Sequence, residues 1–152
     1  MGNGVQKGMN DKIIAIVLAA GQGKRMNAQV AKQFLELKNK PVLYYSLKAF
    51  EESSVDEIIL VCGRDQIDYC KDNIIDPYGF TKVRQIIEGG KERYDSVYKS
   101  LRVIGQADYV LIHDGARPFI FTSMINKVIR IVRESKACIV ASPVKDTIKI
   151  AD

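Results

Sequence analysis

Residues 12–19 read Lys-Ile-Ile-Ala-Ile-Val-Leu-Ala, a β-branched apolar run with no alternation of polar and apolar positions. A strand with one wet face alternates. A run that is apolar at every position suits a strand covered on both faces, and such strands belong to parallel sheets. Glu57–Cys62 reads as a second buried strand, further strands are expected at Lys82–Ile87, Tyr109–Ile112 and Ala137–Ala141, and another begins at Thr147–Ile150. A short strand is expected at Phe34–Leu37, with a turn at Asn39-Lys40. Between the runs lie segments of helical spacing. Pro41 suits the first turn of a helix with Leu43, Leu47 and Phe50 on its inner stripe. Asp65–Ile75 reads as a helix stopped by Pro77. Val97, Leu101 and Ile104 stand at i, i+4 and i+7. Thr122 or Ser123 can cap a helix striped by Ile125, Val128, Ile129 and Val132. Strands and helices alternate almost throughout, which predicts an α/β fold with a doubly wound, mostly parallel sheet and right-handed crossovers. Residues 1–10 read as a loose, glycine-rich leader and residues 11–152 as one domain.

Composition narrows the function classes. The 152 residues are 47% hydrophobic and 27% charged, the balance of an ordinary globular domain. No uncharged apolar run approaches the roughly 18 residues of a membrane span. Cys62, Cys70 and Cys138 are odd in number and widely spaced, which suits a reducing compartment. Cys62 and Cys138 sit inside apolar runs, where a thiol behaves as a small hydrophobe. The only histidine is His113, too few ligands for a zinc site. The net charge of +5 is uneven: residues 1–50 hold eight Lys+Arg against two acidic residues, and the remainder is nearly balanced. A nucleic-acid binder spreads basic groups along a face and interleaves aromatics. Here the cations lie beside a glycine loop, which points to a compact anion and away from nucleic acid.

In doubly wound sheets ligands bind beyond the carboxyl ends of the strands. Three clusters fall there. Ala19, Ala20, Gly21 and Gly23 leave the first strand, with Arg25 and Lys32 nearby. Small residues let backbone N–H groups approach phosphate oxygens, and the cations can neutralise a triphosphate. The third glycine of the dinucleotide fingerprint is missing, as is the G-x-x-x-x-G-K-[ST] loop. Gly89 and Gly90 end another strand, followed by Arg93 and Ser96 at i and i+3 on the next helix. His113-Asp114-Gly115-Ala116-Arg117 ends a third. A carboxylate there suits Mg²⁺, which takes one or two carboxylates plus phosphate oxygens. Arg117 suits a second phosphate. Each cluster alone is equally an ordinary turn or capped helix; their coincidence at strand ends is the argument. A Ser-His-Asp triad lacks its G-x-S-x-G elbow.

The segments LAAGQGKRM, AKQFLEL, EGGKERYDSV, HDGARPF and SPVKDTIK occur in that order over about nine tenths of the chain. In this the chain resembles the 2-C-methyl-D-erythritol 4-phosphate cytidylyltransferase family, and less fully the ribitol-5-phosphate cytidylyltransferases, in which PVKDT is not expected. The resemblance implies a Rossmann-like nucleotidyltransferase fold, CTP and a sugar-alcohol phosphate as partners, Mg²⁺ as cofactor, and a homodimer in the full-length form. It implies that Ala19, Ala20, Gly21 and Gly23 line the CTP phosphates. Arg25 and Lys32 would be catalytic, stabilising charge on the α-phosphate. Gly89, Gly90, Arg93 and Ser96 would hold cytosine and ribose. Asp114 would bind the metal, Gly115 the nucleotide, and Arg117 and Thr147 the polyol phosphate. Lys91, where an acidic or small residue is usual, and Gly115, where alanine is frequent, depart from the family pattern. Family chains run further, so the last part of the domain, with its final strand and closing helix, is expected to be missing after Asp152. The alternatives are an inactive CTP-binding fragment and a nucleotide-sensing regulatory domain. The expected compartment is the cytoplasm, or the plastid stroma for a plant-type source.

Overall fold

The computed structural model describes residues 11–21 and 31–143. β1 (Ile13–Leu18) is buried at every position but the last, and it pairs on both sides: with β4 (Glu57–Cys62) and with β6 (Tyr109–Asp114), both parallel. β5 (Val83–Glu88) extends the sheet beyond β4, also parallel, so the order is β5-β4-β1-β6. Leu18 is in register with Val61 on one side and Asp114 on the other. The carboxyl ends therefore emerge together. The chain steps outward from β1 to β4 to β5, then returns across the sheet to β6, making the gap between β1 and β6 the topological switch point.

Alternate residues of β1 enter different cores. Ile13, Ala15 and Val17 pack with Leu43, Leu47 and Phe50 of α1 (Val42–Glu51), with Cys70 and Ile74, and with Ile125 and Ile129 of α5 (Thr122–Ser135). Ile14 and Ile16 join Ile59 and Val61 on the opposite face. Ile104 and Ala107, at and after the end of α4 (Arg93–Val103), pack there. Helices on both faces of a parallel sheet make the fold doubly wound, as expected. No helix among the described residues is long and apolar enough to cross a membrane.

Several local expectations are corrected. The 34–37 segment divides: Lys32–Phe34 is a 3₁₀ turn, and β2 (Glu36–Leu37) pairs antiparallel with β3 (Lys40–Pro41). The connecting turn is Lys38-Asn39, one residue early, because both adopt left-handed φ (50° and 61°), the geometry that fits a tight hairpin's twist. Pro41 caps α1 in extended conformation instead of entering it. Pro77 does not stop the second helical segment. That segment runs α2 (Ile67–Cys70), a π-helical turn (Lys71–Ile75) and α3 (Asp76–Tyr78), and Gly79 ends it at φ 65°. The widened turn alters the carbonyl positions that a proline ring would otherwise clash with. Neither Thr122 nor Ser123 caps α5. Its N-cap is Phe121, and the Thr122 hydroxyl donates to Ala49 O (3.2 Å), tying α5 to α1.

α4 meets the sheet through Ser96 and Ser100, both buried, while Leu101 is 47% exposed. Two small side chains let the helix sit close, which the apolar spacing alone did not reveal. Ala137–Ala141 forms no strand among the described residues: Ile139 is 89% exposed and Cys138 is only half-buried. Apolar character makes a strand only where a ladder partner takes its N–H and C=O groups. Thr147–Ile150 and the 1–10 leader lie outside the described residues.

Candidate active site

Three chain exits meet above the sheet. Ala19 N donates to Val61 O (2.6 Å), Gly89 N to Cys62 O (2.9 Å) and Gly115 N to Leu18 O (2.7 Å), so each exit is bonded to its neighbour. Gly89 is required by space: a Cβ there would stand 2.5 Å from the Ala20 Cβ and 2.9 Å from Ser96 Oγ. The exits of β1 and β5 thus touch over the end of β4. A Cβ on Gly115 would stand 2.9 Å from Leu43 Cδ1 and 3.1 Å from Leu18 O. Gly21 differs, since a Cβ there would meet none of the described residues within 4 Å.

Gln33 secures the first exit. It is 2% exposed, and its Nε2 donates to Ala19 O (2.5 Å) and Gly21 O (3.3 Å). Lys32, exposed on the same 3₁₀ turn, is carried next to this anchor. At the β5 exit, Gly90 N donates to Ser96 Oγ (2.9 Å), and Lys99 Nζ donates to Gly89 O (2.7 Å). Asp95 Oδ2 accepts from Glu92 N (3.0 Å), closing the first turn of α4, where Arg93 begins the helix.

At the β6 exit Asp114 lies between two guanidinium groups. Arg93 Nε is 3.1 Å from Oδ1 and Arg117 Nη2 is 3.0 Å from Oδ2. Both arginine side chains are well exposed, at 62% and 76%. Such pairs contribute about 0–1 kcal/mol each and exchange readily. An anion could therefore draw both guanidiniums away. His113, the preceding residue, turns to the other face. Its ring centroid lies 5.4 Å from that of Phe50, and its Nε2 lies 3.2 Å from Arg117 O and 3.4 Å from Ser46 Oγ. Burial pushes the imidazole pKa below its ordinary value, outweighing the Arg117 carbonyl, so the ring is neutral near pH 7.

The structure therefore brings together Ala19, Ala20, Gly21, Gly89, Gly90 and Ser96 on the β1/β5 side, with Arg93, Asp114, Gly115 and Arg117 toward β6. Arg93 links the two groups. Gly23, Arg25 and Thr147 lie outside the described residues. Among the described residues no group of three or more His, Cys, Asp or Glu could hold a metal. Asp114 alone fits the sparser Mg²⁺ pattern, one carboxylate completed by phosphate oxygens and water. Gln33, Ser46 and Lys99 were not anticipated. Ser46 had a readable signal, a polar residue within the Leu43–Leu47–Phe50 stripe. Gln33 and Lys99 had none beyond standing next to Lys32 and one turn past Ser96.

Residues 13–152 match the family model for 2-C-methyl-D-erythritol 4-phosphate cytidylyltransferase. The chain is 61% identical to the enzyme of that name from Lachnoclostridium phytofermentans, over 93% of this chain and 60% of the relative. It is 55% identical to that from Lachnospira eligens, over 91% of this chain and 61% of the relative. Its fold matches the crystal structure of 4-diphosphocytidyl-2C-methyl-D-erythritol synthase from Anaerococcus prevotii at TM-score 0.81 and 35% identity, covering 93% of this chain and 60% of the other. The chain thus spans about 60% of the length of these relatives. With its sequence and its fold both agreeing, the chain belongs to the 2-C-methyl-D-erythritol 4-phosphate cytidylyltransferase family.

Proposed function

We propose that this chain carries the nucleotide-binding part of an enzyme that transfers the cytidylyl group from CTP to 2-C-methyl-D-erythritol 4-phosphate and releases pyrophosphate. The observation that supports it most directly is the gathering of the glycine exits and the Arg93–Asp114–Arg117 cluster at the carboxyl ends of the strands, where ligands of such sheets bind. Ala19, Ala20, Gly21 and Gly23 line the phosphates in this reading. Gly89, Gly90, Arg93 and Ser96 hold base and ribose, with Gly115 beside them. Arg117 and Thr147 receive the polyol phosphate. Asp114 is the residue that would hold Mg²⁺, which when bound spreads charge over the phosphate oxygens.

A phosphate monoester has a second pKa near 6, so the attacking oxygen is largely ionised at neutral pH and needs no general base. A neutral His113 turned away from Asp114 agrees with that. The residues' task is then to position two anions in line and to stabilise charge at the α-phosphorus, the part assigned to Arg25 and Lys32. The reading includes a homodimer of the whole protein, the cytoplasm as its compartment given bacterial relatives, and no nucleic-acid partner.

The test is pyrophosphate release with Mg²⁺ and CTP, using methylerythritol phosphate, ribitol phosphate, and ATP or GTP as controls. Release with CTP and methylerythritol phosphate is expected. Release with ribitol phosphate alone would overturn the substrate choice. CTP binding without release would assign this chain to a nucleotide-binding fragment.

A further inference from the structure

Ser46 is fully buried on α1, yet its hydroxyl faces three partners on β6 and the turn after it: Gly115 O (3.1 Å), Arg117 O (3.2 Å) and His113 Nε2 (3.4 Å). His113 Nε2 also approaches Arg117 O at 3.2 Å. A carbonyl oxygen has only lone pairs to offer, so a ring nitrogen this close must carry the proton. Two donors, one from α1 and one from β6, therefore converge on the turn that follows β6. The residues they hold flank Asp114 and include the backbone of Arg117.

We propose that Ser46 and His113 are positioning residues, which grip the carbonyls of Gly115 and Arg117 so that the 113–117 turn presents Asp114 and Arg117 to the ligand in one orientation. The grip comes from the core face of the sheet, and the two presented side chains leave from the other side of the same turn. Neither Ser46 nor His113 touches a reacting group. This rests on the reading of the cleft as a nucleotide site, and the experiment separates the two.

Because His113 is the only histidine, its imidazole nitrogens can be assigned without ambiguity. A ¹⁵N spectrum of the full chain, taken about two units above the ordinary imidazole pKa, is expected to show the Nε2–H tautomer. MgCTP affinity is then measured by calorimetry for S46A, H113L, H113Q and D114N, each first shown to be folded by circular dichroism. S46A and H113L are expected to weaken MgCTP about tenfold, the scale of one lost buried hydrogen bond. H113Q keeps an N–H in reach of the Arg117 carbonyl and is expected to return to within about threefold of wild type. A residue serving only stability would lower the melting point without this pattern of affinity and rescue. An Nδ1–H tautomer would overturn the proposal, as would unchanged affinity in folded S46A and H113L. If D114N weakens binding while those two do not, the positioning role alone fails. If D114N also leaves binding unchanged, the nucleotide-site reading fails and the proposal with it. Should H113L not fold, S46A, H113Q and the tautomer decide.

Discussion

Replacing Gly89 with alanine would set a methyl group 2.5 Å from the Ala20 Cβ, 2.9 Å from Ser96 Oγ and 3.4 Å from Val61 Cγ1. Carbon atoms prefer a separation of roughly 3.5–4.0 Å, so the first contact is about 1 Å too short. Both atoms are fixed to backbone, and no rotamer change relieves them. The exits of β1 and β5 must part, which strains the Gly89 N to Cys62 O bond. Overpacking of this kind costs about 1–3 kcal/mol. Displacing Ser96 also weakens the bond it accepts from Gly90 N, worth a further ~0.5–1.5 kcal/mol. The expected destabilisation is about 2–4 kcal/mol, or roughly 4–16 °C in melting temperature for a chain of this size. Urea unfolding with an unchanged slope measures it. G21A is the control, expected within about 0.5 kcal/mol because its new methyl meets none of the described residues within 4 Å. Adding A20G to G89A removes the worst contact and is expected to recover at least about half of the loss. G89A within about 0.5 kcal/mol of wild type, or no coupling between positions 20 and 89, would refute the close-approach argument.

On the proposed reading of the site, K32A or R25A is expected to lower cytidylyl transfer about 10²-fold or more, the loss that follows removal of a preorganised charge; unchanged turnover in both removes them from the transition state. Cys62 and Cys70 are fully buried, and the hydrogen bond with Cys62, reinforced by burial, holds the Cys70 thiol well above the usual range. A thiol reagent added to the native chain is therefore expected to label half-buried Cys138 first, and mass spectrometry of the labelled peptides reads this. Burial depresses the His113 pKa, so near and below its ordinary value of about 6.5 the unfolded chain binds the proton more readily than the folded one. His113's contribution is present above that value and is lost as pH falls. H113Q is expected to flatten the fall in stability between about pH 7.5 and pH 5.5, measured by urea midpoints. G79A is expected to cost about 1 kcal/mol, because Gly79 ends the helical segment at φ 65°.

The two central strands were legible because burial on both faces leaves an uninterrupted apolar run, as at Ile13–Leu18 and Ile58–Cys62. The glycine exits were legible for a related reason: strand ends with small residues mark where backbones approach. Less visible were features set by tertiary packing. Ser96 and Ser100 do the work on α4 that Leu101 was expected to do. Ala137–Ala141 has the composition of a strand, but pairing is a property of two segments and not of one. The Arg93–Asp114 pair joins residues 21 positions apart, and nothing in either local pattern announces it. The same holds for Gln33, whose amide reaches back 14 residues to Ala19.

His113 and Asp114 are neighbours in the chain, yet the pleat sends them to opposite sides: one to Ser46 and Phe50 beneath, the other to Arg93 above. Their division of labour is therefore a matter of parity. Deleting one residue within Val110–Ile112 would act like a reading-frame error in space, seating a carboxylate in the core and an imidazole in the cleft. Deleting two would restore each to its own side, with the exit pulled back by about 7 Å. Stability and site thus share a single constraint on β6, so the fold tolerates a change in the length of this strand only in even steps.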